Sequence, residues 1–212
     1  MVLIRSHDAL FRYVFGEPEQ MAELVRALLP PAAAADVDWS TLTRIDGTFV
    51  DQALQERITD LLFSVRAHTG TVLLHLVVDH KSHDDPFASL QMGHYALRIH
   101  DRWRLDHPES RTLPPILALI VHHGDKPWRA PRSLDELIEV SACGPSLGTF
   151  LRPLQMSVPF VLLDLATMNE DAIAGLRLSI VGDLTLRFLQ FLRSQPAEVA
   201  VEHIVRWQRL VA

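Results

Sequence analysis

Arg57-Ile58-Thr59-Asp60-Leu61-Leu62-Phe63-Ser64-Val65-Arg66 and Thr71-Val72-Leu73-Leu74-His75-Leu76-Val77-Val78-Asp79-His80-Lys81 decide the fold of this 212-residue chain. Each run is rich in Val, Leu and Phe, and a short polar link with a glycine, Ala67-His68-Thr69-Gly70, joins them. That is the pattern of a β-hairpin. In an antiparallel pair the positions of facing residues have a constant sum, and a turn centred between Thr69 and Gly70 sets that sum at about 139. Asp60 is then expected opposite Asp79. Because side chains alternate with period two, Lys81 is expected on the same face as both acids.

Two like charges across a ladder destabilise it, so a cation between them is one expectation. Oxygen ligands of this kind favour Mg2+ or Mn2+, which are held by one or two carboxylates together with waters and substrate phosphate oxygens. The other reading is that Asp79 opens a solvated loop through Asp85 while Asp60 pairs with an arginine. The chain has two lysines, Lys81 and Lys126, against eighteen arginines. A lysine two residues after the terminal acid of an apolar strand therefore favours the metal reading.

The length suffices for a sizeable core, and 48% hydrophobic with 22% charged residues is ordinary globular composition. No run of apolar residues is long enough to span a bilayer, so no membrane partner is expected. The opening residues Met1 to His7 lack a signal-peptide core, and the single cysteine, Cys143, has no partner for a disulfide or a zinc site. Both point to a cytoplasmic protein.

The formal charge of -6 argues against indiscriminate nucleic-acid binding, but the charge is unevenly distributed. Residues 1 to 92 carry seven basic and thirteen acidic side chains, residues 93 to 132 seven and four, and residues 133 to 212 six and nine. The basic window follows the hairpin and includes Arg98, Arg102, Arg104 and Lys126. It reads either as a phosphate-contacting surface or as a solvated helix face.

Around the hairpin, Leu10, Phe11, Val14 and Phe15 have helical spacing, and Pro18 opens a second helix that Leu29-Pro30-Pro31 ends. Leu42 to Val50 reads as a strand with a Gly47 irregularity. Asp85-Pro86 reads as the cap and first turn of a helix to about Trp103, with Phe87, Leu90, Tyr95, Leu97 and Ile99 as its apolar positions. The continuous run Ile116 to Val121 suits a central strand covered on both faces. His122 to Trp128 reads as a loop whose two histidines are loop polar residues. Ser133 to Val140 reads as a short helix, Gly144 to Pro153 as irregular, and Pro159 to Leu165 as a strand with Asp164 a hydrogen-bonding residue at its end. Asp171 to Arg193 and Ala197 to Leu210 read as helices.

Several ordered motifs together resemble the Rpn family of recombination-promoting nucleases, also described as transposase-like, within the PD-(D/E)XK nuclease superfamily. They are Ser6-His7-Asp8-Ala9-Leu10-Phe11, Leu28-Leu29-Pro30, Phe49-Val50-Asp51-Gln52-Ala53-Leu54, Arg57 to Leu62, Asp79-His80-Lys81-Ser82, Tyr95 and Val121 to Trp128. The resemblance runs from about residue 6 to about residue 165.

It implies an α/β fold with a restriction-endonuclease-like core, in which a helix, three antiparallel strands, a helix and a further strand follow one another, with additional C-terminal helices. Residues 1–165 would form the nuclease-like domain and residues 166–212 a helical extension packed on it. It also implies a metal-dependent DNA endonuclease. Asp60, Asp79 and the backbone carbonyl of His80 would hold Mg2+ or Mn2+, and Lys81 would complete the catalytic set. Gln91, Arg98, Arg102, Arg104 and Lys126 would contact DNA, and a homodimer is an expected assembly.

The chain departs from the family pattern at three places: Asp79 stands where Glu is usual, Gln91 where Arg is more frequent, and the part after residue 165 is shorter. The alternative reading is therefore a nuclease-fold DNA-binding or protein-interaction module that no longer turns over.

Overall fold

The computed structural model describes residues 2–45, 61–67, 73–192 and 197–207. These form a mixed α/β architecture around a five-stranded sheet in the order β1-β2-β3-β4-β5. The strands are β1 (Val37–Arg44), β2 (Leu61–Ala67), β3 (Leu73–Lys81), β4 (Ile116–His122) and β5 (Val161–Asp164). β1, β2 and β3 are antiparallel, whereas β4 and β5 run parallel to β3. Every β2–β3 pair, from Leu61 opposite Val78 to Arg66 opposite Leu73, has positions summing to 139, the register expected of the hairpin.

Side-chain alternation divides the sheet into two faces. Phe63, Val65, Leu119, Val121 and Leu163 pack on helices α1 (Val2–Phe15), α2 (Pro18–Leu28) and the later helix Ile180–Phe191 through Phe11, Phe15, Leu24, Leu186 and Leu189. On the other face, Leu62, Ala118 and Ile120 meet helix Ala88–Asp106 through Ala88, Met92, Tyr95 and Ile99. β4 is thus covered on both faces, as its unbroken apolar run requires. Ile120 is fully buried. Ile120→Ala is expected to destabilise the protein by about 2–5 kcal/mol, read from the urea midpoint at constant slope.

The first strand lies earlier than expected. A short helix α3 (Pro31–Ala35) occupies the alanine-rich stretch, and β1 begins at Val37. Trp39 and Leu42 are both buried although an odd number of residues apart. The register slips between Asp38 and Thr43, and such a bulge returns both to the core face. The expected Gly47 irregularity lies outside the described residues.

The helix after β3, α4 (Ala88–Asp106), starts later than the Asp85-Pro86 cap suggested. Asp85 instead accepts the Phe87 backbone N–H at 2.9 Å, closing a turn ahead of the helix. The stripe 88, 92, 95, 99 faces the sheet, leaving Phe87, Leu90 and Leu97 exposed; only Tyr95 and Ile99 of the expected apolar set are core.

Ser133 to Val140 is not a single helix. Bonds from Glu136 N to Ser133 O and from Ile138 N to Asp135 O tighten it into 3₁₀ turns, Leu134–Leu137 and then Val140–Cys143. Gly144 to Pro153, expected to be irregular, contains α5 (Pro145–Leu151). The long helix expected from Asp171 is two, α6 (Glu170–Ala174) and α7 (Ile180–Phe191). Arg177 between them has φ 54°, a left-handed conformation no helix can pass through. Ser179 caps α7 by accepting from Gly182 N, while its hydroxyl donates to Gln20 of α2 at 2.6 Å. α8 (Ala197–Trp207) follows. No helix among the described residues is long and apolar enough to cross a membrane.

Candidate active site

β3, β4 and β5 end together, and their ladder sets Lys81 opposite His122 and His122 opposite Asp164. Three polar residues thus stand in one row at the carboxyl ends of parallel strands, the edge at which α/β sheets place ligands. Facing residues share a sheet face, here the α4 face. The Lys81 ammonium donates to Asp85 Oδ2 at 3.1 Å and to Gln91 Oε1 at 2.7 Å, and the Gln91 amide nitrogen donates to the buried hydroxyl of Tyr95. Tyr95 therefore sets the Gln91 amide, whose oxygen is turned toward the lysine. Gln91 enters the site as a partner of Lys81.

Burial tends to raise the pKa of Asp85, but hydrogen bonds from the Phe87 N–H and Lys81 outweigh it and hold this carboxyl below the usual range. A depressed folded-state pKa gives stability that is complete above the unfolded value, about 3.9, and is lost as pH falls through the lower folded value. Asp85→Asn is accordingly expected to cost about 1 kcal/mol or less at neutral pH, with the gap to wild type closing in urea titrations as the pH falls below the unfolded value.

His122, expected in the loop, ends β4 and is buried to 1% exposure, and His123 is buried to 3%. Burial is possible because His122 Nδ1 meets Asp164 Oδ1 at 2.8 Å. An ionised carboxylate only accepts, so Nδ1 carries the hydrogen. Asp164 also accepts the Trp128 N–H at 2.8 Å and the Ala166 N–H at 3.2 Å, the strand-end bonding expected of it. His123 turns to the opposite face, where its ring lies edge-on to His7 of α1 with centroids 6.1 Å apart. The sequence signal for His122 and Asp164 was that each is the last residue of an apolar strand.

Of the expected metal ligands, Asp60 lies outside the described residues, and only the backbone of Asp79 and His80 is described. Asp79 stands opposite Ile120 and His80 opposite Val121. Lys81 O accepts from His123 N at 2.9 Å, which directs it to β4. Carbonyls alternate along a strand, so that of His80 points to the β2 side. Arg102 donates to Asp106 at 2.8 Å and Arg104 lies 3.9 Å from Asp101, on the last turns of α4. At the helical rise, Arg102 is about 16 Å along the axis from Gln91. Arg98 lies between them on α4, and Lys126 is exposed in the loop after β4. The structure joins Lys81 and Gln91, while the arginines form a separate solvated surface.

A family model described as "Putative transposase, YhgA-like" matches residues 5–208. The chain is similar to recombination-promoting nuclease RpnD of Escherichia coli O157:H7, at 26% identity over 170 residues covering 79% of this chain and 61% of that protein. It is similar to recombination-promoting nuclease RpnA of Escherichia coli strain K12, at 30% over 168 residues covering 79% and 54%. Inactive recombination-promoting nuclease-like protein RpnE of the same strain matches at 26% over 168 residues, covering 79% and 53%. The chain therefore spans between 53% and 61% of the length of these relatives. No solved structure matches.

Proposed function

We propose that this chain, which belongs to the YhgA-like transposase family and has recombination-promoting nucleases among its relatives, is a metal-dependent DNA endonuclease acting by phosphodiester hydrolysis. The observation that carries the reading is the β2–β3 register. Continued by one residue, the same register would bring Asp60 opposite Asp79, on the face and at the strand end where Lys81 is held. The core is then restriction-endonuclease-like, formed within residues 1–165. Residues 166–212 are an extension sharing the same hydrophobic interior, to which Leu186 and Leu189 contribute.

Mg2+ or Mn2+ suits the donor set, because Asp60 and Asp79 offer hard oxygens and the His80 carbonyl is turned to the side of β2. Bound there, the ion would polarise a phosphate oxygen and lower the pKa of a coordinated water. Lys81 has its own task. Its ammonium orients the attacking water and offsets the negative charge that grows on the phosphate oxygens, as a fixed charge that needs no reorganisation during the reaction. Asp85 and Gln91 keep that charge in place. Arg98, Arg102, Arg104 and Lys126 supply contacts to the DNA backbone.

The purified protein is expected to nick or linearise supercoiled plasmid with Mg2+ or Mn2+ and to leave it intact in EDTA. Plasmid left intact at every metal concentration would overturn the reading. Its replacement would be a nuclease-fold module that binds without cutting, favoured by the one-methylene-shorter acid at Asp79 and by a relative named inactive. The basic surface is tested separately. DNA affinity is expected to fall steeply with salt, and charge reversal at Arg102 and Arg104 to flatten that slope.

A further inference from the structure

Beside Lys81, two hydrogen-bond acceptors face each other across a gap. His122 is buried to 1% exposure and its Nδ1 hydrogen is committed to Asp164, so the tautomer that Asp164 selects places the lone pair at Nε2. Among the described residues Nε2 has no hydrogen-bond partner. Across from it, 3.9 Å away, lies Asp84 Oδ1, a carboxylate oxygen that can only accept. The other oxygen of Asp84 takes the Arg129 N–H at 3.2 Å, which holds the carboxylate in position.

A third acceptor lies close by. A Cβ on residue 124 would collide with His122 Nε2 and come within 3.1 Å of the Ser82 carbonyl oxygen, so Gly124 is what keeps this space free of a side chain. A divalent cation between them would satisfy both acceptors at once. The charge around the gap agrees: Asp84, Asp85 and Asp164 stand against the ammonium of Lys81.

We propose that His122 Nε2, the Asp84 carboxylate and the Ser82 carbonyl form a second divalent-cation site, selective for Zn2+ and separate from the Asp60–Asp79 pair. Zinc binds imidazole nitrogen and carboxylate oxygen at about 2.0–2.2 Å, so two such bonds reach across the 3.9 Å between Nε2 and Oδ1. The Asp164 bond to Nδ1 is the carboxylate support that fixes the ring and tautomer of a metal-ligating histidine. An imidazole in the set favours Zn2+ over Mg2+. Held there, the ion ties the Lys81–Asp85 turn to the end of β4. Its role is to brace the segment that carries Lys81.

The test uses the full chain and a readout that does not involve DNA cutting. In Asp60→Ala/Asp79→Ala protein, stripped with EDTA and dialysed against Zn2+, one equivalent is expected to bind per chain and the melting temperature to rise. Mg2+ is expected to do neither. On the same background His122→Gln and Asp84→Asn should each lose the equivalent, and Asp164→Asn should weaken affinity about 10–100-fold. Asp84 is at the surface, so its variant remains informative if the buried histidine variant fails to fold. No bound equivalent in the double variant, or undiminished binding in Asp84→Asn, overturns the proposal. Either outcome leaves the nuclease reading standing, because plasmid cutting is measured independently.

Discussion

Asp79→Ala is expected to abolish cutting of supercoiled plasmid while leaving the urea midpoint near that of wild type. The residue stands in the last turn of register before the strand ends, and its proposed work is to hold a cation. Its loss would therefore remove the proposed chemistry. Asp60→Ala should behave in the same way, since in the proposed site the two acids share one ion.

Lys81→Ala separates charge stabilisation from metal binding. Cutting should fall about 10²- to 10³-fold, the scale of one preorganised electrostatic contact, with the metal concentration for half-maximal rate nearly unchanged. Gln91→Ala should cost less than Lys81→Ala, because Gln91 positions the ammonium from 2.7 Å and Asp85 remains to hold it. Asp79→Glu lengthens the acid by one methylene and restores the family's usual residue; a faster enzyme would identify the short carboxylate as a handicap. Full activity in Asp79→Ala would contradict the site assignment.

The largest expected loss of stability is at Arg187. Its guanidinium is nearly buried and donates to Asp183, to Glu170 Oε2 at 2.8 Å and to the Glu170 carbonyl at 3.2 Å. Glu170 also receives Arg206 and, at 3.2 Å, the indole N–H of Trp207, so one carboxylate ties α6, α7 and α8 together. Arg187→Ala leaves Asp183 without its cation and Glu170 with only the more exposed Arg206. The expected cost is about 3–5 kcal/mol in urea unfolding, the scale of breaking a buried pair from one side. Arg187→Lys should recover part of it, because a point charge cannot reproduce the planar fork. A loss below about 1 kcal/mol would show that this hub does not secure the C-terminal helices.

What the sequence revealed follows from how far apart the deciding residues lie. The hairpin register was legible because a short link constrains it locally, and β4 was legible because Ile116 to Val121 has no polar residue to expose. The burial of His122 was not legible: its partner Asp164 lies 42 residues further on, and only the parallel β4–β5 ladder brings them together. The core stripe of α4 was misassigned because Phe87, Leu90 and Leu97 are more apolar than Ala88, yet the helix is oriented by Met92, Tyr95 and Ile99. The break at Arg177 escaped because no proline marks it; Gly175 and the Ser179 cap were the available signs. Lys81 was singled out by its spacing to Asp79, whereas its hold on Gln91 requires α4 to return across the strand ends.

Diffraction from crystals grown with Mn2+, recorded for the anomalous signal of manganese, tests the central claim most directly. A peak bonded to one oxygen of Asp60, one of Asp79 and the carbonyl of His80, with Lys81 beside it, is the predicted result. Asp60 and Asp79 on opposite faces of the sheet, with no manganese between them, would contradict it.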